Sequence, residues 1–90
     1  MLRKLYSIIT DRKANPKDGS YTNKLLEGGY PKIAQKVGEE AVEVVIAAGV
    51  EGRRRVIEES ADLLYHLFVL LVDLEISLEE VEKELGDRHN

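Results

Sequence analysis

Two acidic motifs joined by a short glycine-containing stretch constrain this chain more than any other feature. Glu39, Glu40 and Glu43 form E-E-x-x-E, and Glu59 with Asp62 forms E-x-x-D inside an otherwise apolar segment that runs on to Val72. Residues three or four apart share one face of a helix, so Glu40 with Glu43, and Glu59 with Asp62, are adjacent carboxylate pairs. Adjacent like charges repel, and the repulsion grows where water is excluded. A hard divalent cation such as Mg²⁺ or Mn²⁺ would relieve it, taking oxygen ligands from carboxylates and keeping waters that substrate phosphates can share.

Helical periodicity places these groups beside a predicted core. At about 100° per residue, Lys36, Glu40, Glu43 and Ala47 make one stripe, with Ile33, Val37, Ala41, Val44, Val45 and Ala48 on the neighbouring apolar stripe. On the following segment Arg55, Glu59, Asp62, His66 and Asp73 share a narrow strip, and almost everything else from Leu63 to Leu74 is apolar. E-E-x-x-E alone is common on solvated helix faces, because Glu is a strong helix former. Glu59 and Asp62 weigh more, since an unpaired charge on a buried helix is expensive.

Ninety residues, 43% apolar and 33% charged, describe a single small domain over residues 1–90. A domain of this size buries only about 60% of its chain surface, so a partner subunit would help. The absence of cysteine excludes a disulfide scaffold, thiolate zinc and a Cys nucleophile, and fits a reducing cytoplasm. No secretory signal is expected, because the mixed run Leu5–Ile9 is too short for one, and no membrane span, because the apolar run Leu63–Val72 is about half a span and contains His66. A formal charge of −4 argues against general nucleic-acid binding. An acidic protein that handles phosphate does so through a cation.

The segments between turn signals read as helices throughout. Leu2 to Lys13 form an amphipathic helix ending at Asn15-Pro16, where the residue before proline is biased away from helical geometry. A loop over Lys17–Asn23 follows, with Thr22 or Ser20 capping a short helix from Asn23 to Glu27 that Gly28-Gly29 stops. Pro31 opens a long helix to about Ala48, with Gly49 as its expected stop. The short connection to Gly52 predicts an antiparallel return from Arg53 to Leu74, bringing Glu40/Glu43 level with Glu59/Asp62 to within roughly one turn. Arg53, Arg54 and Arg55 read as a solvated helix end partnered by Glu51 and Glu58, with Arg55 alone on the acidic strip and able to face phosphate or the carboxylates. Ser77 and Glu80 spell a capping box for a last helix that Gly86 is expected to end, with Asp87–Asn90 frayed. The expected fold is all-α, an antiparallel bundle of four main helices. Apolar residues wrap more than half of the Leu63–Leu74 helix, and Val42 and Ile46 fall off the main stripe, which implies a homodimer.

Lys36-Val37-Gly38-Glu39-Glu40-Ala41 with Glu43, and Glu59-Ser60-Ala61-Asp62-Leu63-Leu64-Tyr65-His66, resemble the MazG-like all-α nucleotide pyrophosphohydrolases, which include the dimeric dUTPases. Within that superfamily, Ser20-Tyr21-Thr22 followed by Leu25 and Gly28, together with Tyr65-His66 and Val69-Leu70-Leu71, are similar to the phosphoribosyl-ATP pyrophosphohydrolases of histidine biosynthesis. The resemblance covers nearly the whole chain. It implies Mg²⁺-dependent hydrolysis of phosphoribosyl-ATP to phosphoribosyl-AMP and pyrophosphate, with Glu40, Glu43, Glu59 and Asp62 as metal ligands and Glu39 as a further acidic member. One of these carboxylates would orient or deprotonate the attacking water. Arg12, Lys13, Ser20, Tyr21, Thr22 and Lys24 are candidates for the phosphoribosyl end of the substrate. Lys36 is a candidate phosphate contact or a salt-bridge partner of Glu40. His66 follows Asp62 by one turn, either steadying a ligand or serving as a hydrogen-bonded core histidine. Two other functions fit the same motifs: a house-cleaning nucleotide pyrophosphatase acting on dUTP or a damaged nucleotide, and a non-catalytic helical interaction module.

Overall fold

In the computed structural model, which describes residues 1–89, α1 (Leu2–Ala14) ends at Asn15-Pro16, as the proline requires. α2 (Tyr21–Gly28) starts two residues earlier than expected. Its cap is Ser20, whose hydroxyl accepts from the Asn23 amide at 3.2 Å, and Gly29 at φ 77° closes its far end. α3 (Tyr30–Ile46) carries Pro31 in its first turn. α4 (Arg53–Asp73) and α5 (Leu78–Arg88) complete an all-α chain, with no β-strand among the described residues. Among the described residues no helix is long and apolar enough to cross a membrane.

Gly49 does not stop α3. The helix widens into a π-helical turn over Ala47–Glu51, and the glycine that breaks it is Gly52 at φ 95°, whose N–H donates to the Ala47 carbonyl at 3.2 Å. A left-handed φ, rather than the mere presence of glycine, ends the helix. Gly86 likewise lies inside α5, which continues to Arg88 with ion pairs Lys83–Asp87 (2.8 Å) and Arg88–Glu84 (2.7 Å) across its last turns. The fraying expected from Asp87 onward therefore fails at Asp87 and Arg88, and Asn90 lies outside the described residues. At the start of α5 the Ser77/Glu80 capping box forms with both reciprocal bonds.

The core is small. Ile9 of α1, Leu25 of α2, Ile33 of α3 and Phe68, Val69 and Val72 of α4 form it, with Leu78 of α5 packed at its edge. α3 packs against α4, and its buried side differs in part from the stripe expected on it. Ala41, Val45 and Ala48 face outward, Val45 with 71% of its surface exposed, whereas Lys36, Glu40 and Glu43 are half-buried and Ala47 is fully buried. The buried side of α3 thus draws on both stripes, since Ile33 is buried and Val37 and Val44 are half-buried beside them. Val42, Ile46, Val50, Ile57 and Leu64 are exposed as well. The radius of gyration, 14.2 Å, exceeds the roughly 12 Å of a compact domain of this length.

The end of α4 carries a strained residue. Ile76 N–H donates to the Leu71 carbonyl (2.9 Å) and Glu75 N–H to Val72 (3.1 Å), the two bonds of a Schellman turn, with Glu75 at φ 59° where glycine is favoured. Lys13 reaches the same helix end, donating to the Val72 carbonyl at 3.3 Å and pairing with Glu75 at 3.7 Å. That exposed ion pair contributes little. Glu75→Gly is therefore expected to stabilise the protein by about 1 kcal/mol, roughly 4–8 °C in Tm, as read by thermal denaturation.

Candidate metal centre

The antiparallel return of α4 against α3 brings three carboxylates together. Glu40 from α3 and Glu59 and Asp62 from α4 each offer an oxygen within 4.8 Å of the others. Glu59 is buried, Glu40 half-buried and Asp62 exposed, so the cluster opens to solvent on the Asp62 side. Glu43, one turn beyond Glu40, is half-buried on the same stripe but is not one of the three. Glu39 is exposed and engaged on its own helix, accepting from Gln35 at 2.9 Å and pairing with Lys36 at 3.5 Å. Lys36 thus pairs with Glu39 rather than Glu40.

The electrostatics set these groups apart. Burial pushes the Glu40 carboxyl above its ordinary value, and a hydrogen bond with Glu59 and the charges of Asp62 and Glu59 add to the shift. Glu39 is held below the usual carboxylate range, first by the Gln35 hydrogen bond and then by the Lys36 ammonium. Arg55 donates to Glu58 at 2.7 Å and reaches the buried Glu59 with its other terminal nitrogen. Both positions weighed for this arginine, the Glu58 pair and the acidic strip, are occupied at once, while Arg54 stays on Glu58 at 3.3 Å.

α2 docks beside the cluster through aromatic and hydroxyl groups. The Tyr21 hydroxyl lies 3.0 Å from His66 Nε2, and His66 Nδ1 lies 2.9 Å from the Asp62 carbonyl. An N–H on Nδ1 donates to that carbonyl and leaves Nε2 to accept from tyrosine. His66 is thus a buried, hydrogen-bonded histidine, and its bond to Asp62 is to the backbone carbonyl rather than to the carboxylate. Thr22 bonds the Tyr65 hydroxyl, and the Tyr21 and Tyr65 rings stack with centroids 6.2 Å apart. Burial raises the Tyr65 phenol above its ordinary value, against the opposing effect of the Thr22 hydrogen bond.

The remaining candidates stand around the α1–α2 loop. Ser20 serves as the helix cap, Lys24 is exposed, and Arg12 is half-buried with its guanidinium 3.3 Å from Asp11. Lys13 is turned to the end of α4 rather than to this loop. Asn23 has the structural part that sequence reasoning missed. Its buried side chain donates to the Arg12 carbonyl at 2.8 Å and accepts from the Lys17 amide at 2.9 Å, tying the loop to α2. The available signal was the Ser20-x-x-Asn23 spacing, a capping pattern with a short amide in place of the usual Glu or Gln.

Residues 2–89 match the family model described as phosphoribosyl-ATP pyrophosphohydrolase. The chain belongs to that family. A protein of Sulfurisphaera tokodaii named phosphoribosyl-ATP pyrophosphatase is 58% identical over 98% of this chain and 94% of its own length. One of Pyrobaculum aerophilum with the same name is 56% identical with the same coverage. The histidine biosynthesis bifunctional protein HisIE of Caldanaerobacter subterraneus subsp. tengcongensis is 51% identical over 99% of this chain, which matches 43% of that longer protein.

In this phosphoribosyl-ATP pyrophosphohydrolase family member, the donor set fits a hard divalent cation. All three converging groups offer oxygen, and Glu40 resists ionisation because it is partly buried and, in addition, faces the other two. The arrangement lacks the nitrogen and sulfur donors that would favour zinc.

Proposed function

We propose that this chain hydrolyses phosphoribosyl-ATP to phosphoribosyl-AMP and pyrophosphate in histidine biosynthesis, using Mg²⁺ or alternatively Mn²⁺. The observation that carries this reading is the convergence of Glu40 with Glu59 and Asp62 in a member of a family described by that activity. Glu40, Glu59 and Asp62 would hold the metal, with Glu43 joining from the next turn of α3. When bound, the cation supplies positive charge to the phosphoryl oxygens and to the departing pyrophosphate.

The chain's own residues divide the remaining work. One of the cluster carboxylates would take a proton from the attacking water. Glu39, held low, stays ionised at neutral pH and orients that water. Arg12 and Lys24 bring positive charge to the α1–α2 edge, where the phosphoribosyl end of the substrate would lie. Ser20, Tyr21 and Thr22 shape that edge through their cap, His66 and Tyr65 bonds. Lys36 adds a cation beside Glu39 for a phosphate oxygen. No covalent intermediate is required, because water is the nucleophile.

The reading includes a cytoplasmic homodimer of one-domain subunits, each an antiparallel bundle of the four longer helices. The exposed Val42, Val45, Ile46, Val50, Ile57 and Leu64 favour a second subunit as their cover, as does the large radius of gyration. Sedimentation showing only monomer at micromolar concentration would exclude it. The activity is tested by pyrophosphate release from phosphoribosyl-ATP with and without Mg²⁺, beside dUTP and other deoxynucleoside triphosphates. Release that depends on Mg²⁺ and prefers phosphoribosyl-ATP is expected. Equal or faster turnover of the deoxynucleotides, or release indifferent to Mg²⁺, would overturn the assignment.

A further inference from the structure

Among the cations near the acidic cluster, Arg55 has an unusual seat. Its guanidinium spans two carboxylates of unlike exposure, the buried Glu59 of the cluster and the more accessible Glu58 outside it. Lys36, the cation on the opposing helix, is paired with Glu39. Arg54 touches Glu58 only on the outer side. Arg55 thus bonds directly to a carboxylate of the cluster. It approaches from solvent, its side chain 46% exposed against 8% for Glu59, so its charged end can withdraw without rearranging the core. Glu58 stays within reach when it does.

We propose that Arg55 is the built-in counter-ion of the centre, which holds Glu59 until a divalent cation takes its place and thereby sets how tightly metal binds. The inference rests on the metal-site reading above and adds a competitor to it. Three carboxylates within 4.8 Å need positive charge in the absence of metal, and a guanidinium supplies it at every accessible pH because it does not lose its proton. The same contact must loosen when Glu59 turns its oxygens to a cation of higher charge density. Retention of Glu58 keeps the displaced arginine beside the centre, where a polyphosphate arrives.

Arg55→Gln removes the competing charge, and Arg54→Gln removes the same charge one residue away without touching Glu59. Mn²⁺ is the probe, titrated calorimetrically into the full chain at about 0.15 M salt, where charges beyond roughly 8 Å are largely screened. Arg55→Gln is expected to bind Mn²⁺ about tenfold more tightly than the parent, and Arg54→Gln within twofold of it. The metal-free Arg55→Gln protein should melt lower than the parent, with the difference closing at saturating Mn²⁺. Unchanged or weaker Mn²⁺ binding by Arg55→Gln, against a parent that binds, overturns the counter-ion role and leaves the metal site standing. A parent that binds no Mn²⁺ removes the metal site itself and this inference with it.

Discussion

Glu40→Gln and Asp62→Asn are each expected to lower pyrophosphate release from phosphoribosyl-ATP by at least about 100-fold with the fold intact. Even residues that only support a metal ligand change activity about 10–100-fold, and these side chains stand in the cluster itself. The fold survives because neither carboxylate anchors the core, which lies among Ile9, Leu25, Ile33, Phe68, Val69 and Val72. Circular dichroism that matches the parent, together with a near-normal rate in both variants, would remove the carboxylates from the chemistry.

Glu40→Gln carries a second expectation with a definite sign. The folded-state pKa of Glu40 lies above its unfolded value, so the folded protein holds this proton more tightly. The cost of ionising Glu40 is absent below the ordinary carboxylate range. It grows as pH rises through the window between the unfolded and the raised folded pKa. Metal-free Glu40→Gln, which never ionises here, should therefore melt above the parent near pH 7.5, and that advantage should shrink as pH approaches 4.5. The difference between the two melting curves isolates Glu40 from Glu39 and Glu58. Those two move the opposite way, Glu58 being held low first by its Arg55 hydrogen bond. An advantage that is constant with pH would show that neither burial nor the neighbouring carboxylates hold the Glu40 pKa up.

Asn23→Ala is the other change with a large expected effect, this time on stability. The amide side chain is 5% exposed and satisfies both the Arg12 carbonyl and the Lys17 amide. Truncation leaves both backbone groups without that partner, at about 1–3 kcal/mol for each that stays dry. A total of about 2–4 kcal/mol corresponds to a Tm lower by at least roughly 8 °C in a domain of this size. Loss of the loop tether should also raise KM more than it lowers kcat, since Arg12 at the end of α1 and Ser20 at the start of α2 flank that loop. A thermal melt within about 2 °C of the parent would show that water replaces the amide without penalty.

How much could be read in advance differs from element to element. Asn15-Pro16, Pro31 and the Ser77/Glu80 box each act within a few residues, and the corresponding helix ends lie close to where local chemistry puts them. Gly49 and Gly86 do not end their helices, because glycine permits a left-handed φ without requiring one; Gly52 adopts it and those two do not. Asn23 escaped notice because a short amide at that spacing also fits an ordinary loop.

The acidic cluster shows the same division. Amino-acid order alone determined that Glu40 and Glu43 share a helix face, that Glu59 and Asp62 share another, and that a short connection returns one helix beside the other. Those are consequences of helical pitch and loop length, which act over a few residues. Only the tertiary structure decided how far α3 turns about its axis, which places Glu40 with Glu59 and Asp62, leaves Glu43 a turn away and exposes Val45. That rotation is set by side chains packed between segments far apart in sequence, including Ile9, Leu25 and Val69, so no periodicity within α3 can specify it.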